Sequence, residues 1–169
     1  KNFIPQIHHN TIKALSVSRN GTLCIGTVDG LTFWSKDTFH LVTTKDGLSN
    51  PEVTFILEVA NDTLWVGTLG GGISVFTQSR CIDTITTDDG LRSNVLNCAV
   101  LDSNGDVYVG GPAGISKYSH RRWSDVTDEQ TIVKPPIRAL LIDNNKTLWV
   151  GTDAGLFYRT SGSEQWHHI

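Results

Sequence analysis

Three groups of side chains have types and spacings that could support chemistry. His8-His9 and His167-His168 are imidazole pairs, and imidazole suits zinc, copper or nickel. Adjacent residues on a strand point to opposite faces, so each pair offers a single ligand unless it lies in a loop. Solvated terminal residues are the plainer expectation. Asp88-Asp89 offers a carboxylate pair for acid–base work, but Asp89 opens Asp-Gly-Leu, where an aspartate bonds the backbone of its own turn. Leu69-Gly70-Gly71-Gly72 is glycine-rich, yet no phosphate-contacting lysine follows it, and no Gly-x-Ser-x-Gly elbow is present. Nothing in these patterns requires a catalytic residue, a metal or a cofactor.

A fourth group depends on the elements that carry it. Four apolar segments, Ile12 to Ser18, Val53 to Val59, Leu96 to Asp102 and Ile137 to Asp143, each have a polar second residue: Lys13, Thr54, Asn97 and Arg138. Each segment is followed by a turn rich in Asn, Asp and Gly, such as Arg19-Asn20-Gly21 or Ser103-Asn104-Gly105, that suits a tight hairpin. Next come Cys24-Ile25-Gly26-Thr27, Trp65-Val66-Gly67-Thr68, Tyr108-Val109-Gly110-Gly111 and Trp149-Val150-Gly151-Thr152, then Gly30-Leu31, Gly72-Ile73, Gly114-Ile115 and Gly155-Leu156. A fourth strand starts at Phe39, Cys81, Trp123 or Trp166. The unit recurs about every 42 residues, a period that marks stacked supersecondary repeats.

Each repeat therefore reads as a four-stranded antiparallel meander, apolar on both faces, which must stack on neighbours. The expected fold is all-β: a β-propeller of four blades at about 11–52, 53–94, 95–136 and 137–169, with residues 1–8 as an extra outer strand. That leading strand predicts a fragment of a larger propeller or self-association through the terminal blades, and a start at Lys1 with no methionine implies that something upstream was removed. Sequons at Asn20, Asn61 and Asn145 recur at one hairpin position, which turn geometry explains.

The pattern Asn145-Lys146-Thr147-Leu148-Trp149-Val150-Gly151-Thr152-Asp153-Ala154-Gly155-Leu156, with Asp46-Gly47-Leu48-Ser49-Asn50 between repeats, resembles the two-component regulator propeller family. Cys24 in place of Trp and Gly110-Gly111 in place of Gly-Thr depart from it. The resemblance implies an extracytoplasmic, periplasmic-type sensor domain of bacterial signalling proteins, often responsive to carbohydrate, and structural roles for the motif glycines and for Trp65 and Trp149.

In propellers, ligands meet the face made by the links between blades and by the loops joining second and third strands. Lys13, Thr54, Asn97 and Arg138, with Arg92 and the loop aspartates Asp29 and Asp153, are therefore the candidate ligand-binding residues; Asn10, Asn50 and Asn94 lie nearby. Their cationic and amide groups suit a sugar, a carboxylate or another small polar ligand. The competing readings are a propeller lyase or hydrolase and a lectin-like or protein-interaction fragment.

Net charge is −3 and the largest basic cluster is Arg121-Arg122, so the footprint of a nucleic-acid binder is missing. Apolar runs such as Ala139 to Ile142 are only strand-length, which argues against membrane insertion by this segment. Cys24, Cys81 and Cys98 lack disulfide or zinc spacing and read as small buried hydrophobes.

Overall fold

A computed structural model describes residues 7, 9–36, 38–127, 133 and 136–169. The expected leading strand and His8 lie largely outside the described residues. The described residues are all-β, with sixteen strands in four sheets, each an antiparallel meander in chain order. The first comprises β1 (Ile12–Val17), β2 (Leu23–Thr27), β3 (Gly30–Ser35) and β4 (Thr38–Val42). The second has β5 (Val53–Ala60), β6 (Thr63–Thr68), β7 (Ile73–Thr77) and β8 (Arg80–Ile85). The third has β9 (Cys98–Leu101), β10 (Val107–Gly111), β11 (Gly114–Ser119) and β12 (Arg122–Asp125), and the fourth β13 (Ile137–Ile142), β14 (Leu148–Thr152), β15 (Gly155–Arg159) and β16 (His167–His168). These are propeller blades. β9 begins at Cys98 rather than Leu96, although Asn97 N–H still donates to the Gly110 carbonyl and Leu96 is buried.

The chain divides into two compact units, Lys1–Ile85 and Thr86–Ile169, each holding two blades. In the first, Cys24, Leu31 and Phe33 of the leading blade bury against Val53, Leu64, Val66 and Phe76 of the next. In the second, Tyr108 and Ile115 share a core with Ile137, Leu148, Val150 and Phe157. The anchor glycine of the leading blade in each unit explains how close the sheets come. A Cβ on Gly26 would lie 2.4 Å from Val53 Cγ1, and one on Gly110 would lie 2.6 Å from Ile137 Cγ2. Val53 and Ile137 are fully buried, worth roughly 1.5–3 kcal/mol each. These glycines thus make room for a side chain of the following blade, not for backbone.

The links between blades are built alike. Thr43 and Asp46 form a reciprocal capping box around a single 3-10 turn, as do Thr86 and Asp89, and Gly47 and Gly90 follow with φ of 98° and 110°. Asp89 accepts the Thr86 N–H at 2.9 Å, so it caps the turn and does not pair with Asp88 as an acid–base dyad. Each link then docks on the third strand of the blade it enters: Ser49 N–H donates to Ser74 Oγ (2.9 Å) and Arg92 N–H to Ser116 Oγ (3.1 Å).

Burial pushes the Cys24 and Cys98 thiols up to about 12. Neither therefore reacts with Ellman's reagent at neutral pH in the folded protein, and both become reactive in denaturant. Fast labelling of either thiol in the native state would contradict this packing.

Candidate functional site

Three of the four polar second residues have a shared cause. Ile12 pairs with Thr27 and Ala14 with Gly26, which leaves Lys13 as the extra residue of a β-bulge. Thr54 is extra between the Val53–Thr68 and Phe55–Gly67 pairs, and Arg138 between Ile137–Thr152 and Ala139–Gly151. A bulge residue leaves the in–out alternation of its strand and can be re-aimed without exposing the apolar residues on either side. In the third blade, Asn97 precedes the Cys98–Gly110 pair and donates from Nδ2 to the Ile137 carbonyl at 2.7 Å.

The loops beside these bulges are closed by the anchor threonines. Thr27 Oγ1 donates to the Gly30 carbonyl and Thr152 Oγ1 to that of Gly155, at 3.0 and 3.2 Å. Asp29 and Ala154 return backbone N–H groups to the same two hydroxyls. Where the third blade has Gly111 instead, the Thr127 hydroxyl takes the Ile115 N–H at 2.9 Å.

Partners differ between the two units. In the first, Lys13 pairs with Glu52 at 3.3 Å, and Thr54 Oγ1 is buried with no hydrogen-bond partner among the described residues. In the second, Arg138 makes a bidentate pair with Asp153 (2.9 and 2.7 Å), each side chain more than half exposed. The Arg92 side chain turns inward, donating to the carbonyls of Ala113 (2.9 Å) and Thr127 (2.6 Å) and pairing with Asp125 at 2.8 Å. It braces the entry to the third blade. Asn50 and Asn94 accept backbone N–H groups of their own links, from Glu52 and Thr87.

Of the histidine pairs, His9 Nδ1 accepts the Thr11 N–H, and His167 and His168 stack on Tyr158 and Phe157. Among the described residues no three His, Cys, Asp or Glu side chains converge as a metal-holding group. Also among them, no helix is long and apolar enough to cross a membrane.

Three carboxyls are held below their usual range. The hydrogen bond from Arg138, then its charge, lowers Asp153. The Trp149 indole and the Thr147 and Asn145 N–H groups lower Asp143. At Asp106 burial acts upward, but the hydrogen bonds from Lys117 and Ser119 and the Lys117 charge outweigh it. A depressed folded-state value contributes stability above the unfolded value of about 3.9 and loses it as pH falls through the folded one. The melting temperature therefore drops below about pH 4, and drops less in Asp106→Asn. An identical acid profile in that variant would contradict the assignment.

A family model described as "Two component regulator propeller" matches residues 132–154. The chain has a general link to that family. No curated protein matches it. Among solved structures, it is similar to the extracellular domain of BT4673 from B. thetaiotaomicron, named for a one-component system, with a TM-score of 0.76 and 21% identity over 96% of this chain and 24% of that one. It is also similar to the extracellular domain of BT3049 from the same organism, named for a hybrid two-component system, with a TM-score of 0.59 and 20% identity over 100% and 34% of the two chains. Catalytically inactive virginiamycin B lyase from Staphylococcus aureus gives a TM-score of 0.70 at 12% identity, over 94% and 55%. At these identities the likeness establishes the propeller fold alone, and the chain spans about a quarter of the length of the BT4673 extracellular domain.

Sequence reasoning placed polar groups at the strand starts but missed the bulges, Glu52 as the partner of Lys13, and the inward turn of Arg92. Two adjacent residues, Ile12-Lys13 or Ile137-Arg138, set ahead of a resumed apolar alternation were the available signal for the bulge.

Proposed function

We propose that this chain is a non-catalytic, extracytoplasmic ligand-sensing propeller module of a two-component signalling protein. It takes a small polar ligand, carbohydrate being the best-suited class, at the bulged edge of its blades. The observation that carries the reading is the recurrent bulge, which takes Lys13 out of the ladder beside the loop holding Asp29 in the first unit, and Arg138 beside the loop holding Asp153 in the second. The exposed Arg138–Asp153 pair offers donors and acceptors together, as a hydroxyl pair on a sugar requires. Asn97 lies at the corresponding place in the third blade, and Arg92 contributes by holding the link that borders it.

The general likeness to proteins named as extracellular domains of one-component and hybrid two-component systems supports the signalling role, and self-association or further blades would complete the assembly. Isothermal titration with a panel of neutral and acidic oligosaccharides tests the site. Lys13→Ala weakens binding at the first unit's edge, and Arg138→Ala at the second unit's edge, about tenfold each, as loss of a charged hydrogen bond does. Affinity unchanged in both variants would remove this edge as the site.

A further inference from the structure

The two units differ sharply at equivalent positions between their blades. In the first unit, the cross-strand pair Cys24–Phe33 of one blade packs with the pair Leu64–Phe76 of the next, and the two phenylalanine rings lie 5.7 Å apart. In the second, the same register positions hold Tyr108–Lys117 and Leu148–Arg159. Two cations thus stand where the first unit has an aromatic pair. The space between the blades changes with them, from about 30 Å³ in the first unit to a cleft of about 380 Å³ in the second. That size falls in the range of small-molecule sites, roughly 300–1,000 Å³.

Lys117 is only partly neutralised for this purpose. Its ammonium pairs with Asp106 at 2.6 Å and lies over the Tyr108 ring, 5.4 Å from the centroid. The Asp102 carboxylate, on the same wall, is engaged by the Asn104 and Asp106 N–H groups at 2.7 and 2.9 Å. Arg159 stacks over Trp166 at 4.9 Å, and neither it nor Lys146 is paired with a carboxylate among the described residues. Glu164 is the remaining acidic group on the lining. Beyond the Lys117–Asp106 pair the lining carries two cations, Arg159 and Lys146, and two carboxylates, Asp102 and Glu164, so its charge is balanced, and Arg159 is a planar fork suited to a bidentate carboxylate. Around it, Asp102, Asp106, Thr160 and Ser161 provide hydroxyl-binding groups.

We infer that the cleft between the third and fourth blades is a binding site for a small polyhydroxy carboxylate, with the carboxylate on Arg159 and Lys146 and hydroxyls on the Asp106–Lys117 pair. It lies at the hairpin-turn end of the strands, opposite the bulged edge, and does not rest on the function proposed there.

Amide chemical-shift titration of the full chain tests it with three probes: gluconate, sorbitol as the same polyol without the carboxylate, and acetate as the carboxylate without the polyol. Gluconate gives saturable shifts at Lys117, Arg159 and Gly162, at least tenfold tighter than either of the others. The double variant Lys117→Phe with Arg159→Phe, which installs the first unit's aromatic pair, loses these shifts. Arg159→Gln weakens them at least tenfold and serves as a variant that leaves the packing almost untouched. Equal binding of sorbitol or acetate, absence of saturable shifts, or gluconate binding retained in Arg159→Gln would each overturn the inference.

Discussion

Alanine at Gly26 or Gly110 destabilises the protein by about 1–3 kcal/mol, the usual range for an overpacked core, whereas alanine at Gly151 stabilises it by about 0.5–1 kcal/mol. The three glycines occupy one motif position, so propensity treats them alike. Their surroundings do not. The added methyl would meet Val53 Cγ1 at 2.4 Å from Gly26, and at Gly110 it would meet both Ile137 Cγ2 at 2.6 Å and Cys98 Sγ at 3.0 Å. At Gly151 the nearest atom is Ala139 Cβ at an ordinary 3.5 Å. Removing a strand glycine there only reduces the entropy lost on folding. Urea midpoints of the three variants measure the difference. The same sign of change at all three would mean that the glycines serve the strand itself and not the insertion of the next blade.

The second large effect belongs to Arg92. Arg92→Ala leaves the carbonyls of Ala113 and Thr127 without their charged donor and strands Asp125, so a loss of about 2–3 kcal/mol follows from bonds of this type. Arg92→Lys restores little of it, because the guanidinium reaches three acceptors on two segments from one plane and an ammonium does not. Thermal unfolding of the pair of variants is the check. Full rescue by lysine would reduce Arg92 to a surface charge and return it to the ligand-binding candidates on equal terms with Lys13 and Arg138.

Much of the fold was legible because it is local. Hairpins with Asn20-Gly21 or Asn104-Gly105, glycines at one motif position, and Asp-Gly-Leu links each occupy a few consecutive residues, and their recurrence identifies the blade. Other features are set by contacts across many residues. Nothing beside Arg92 in the chain announces that Ala113 and Thr127 will accept its donors. The outer hairpins at Gln78-Ser79 and His120-Arg121 hold both residues at positive φ without a glycine, since the ladders on either side impose the turn. Polarity at Lys13, Thr54 and Arg138 was visible, but its cause, the bulge, lies in the register of the partner strand. The exchange of Phe33 and Phe76 for Lys117 and Arg159 has meaning only once register shows that these positions correspond.

On the reading proposed above, the bulged edge binds a small polar ligand and does not transform it. The most direct measurement incubates the protein with the oligosaccharide panel, recovers the sugars for mass analysis, and maps amide shifts on the same samples. The expected result is saturable shifts at Lys13 in the first unit and at Arg138 and Asp153 in the second, with every sugar recovered unchanged. Shifts confined to other surfaces, or cleaved or eliminated products in the recovered pool, would contradict it.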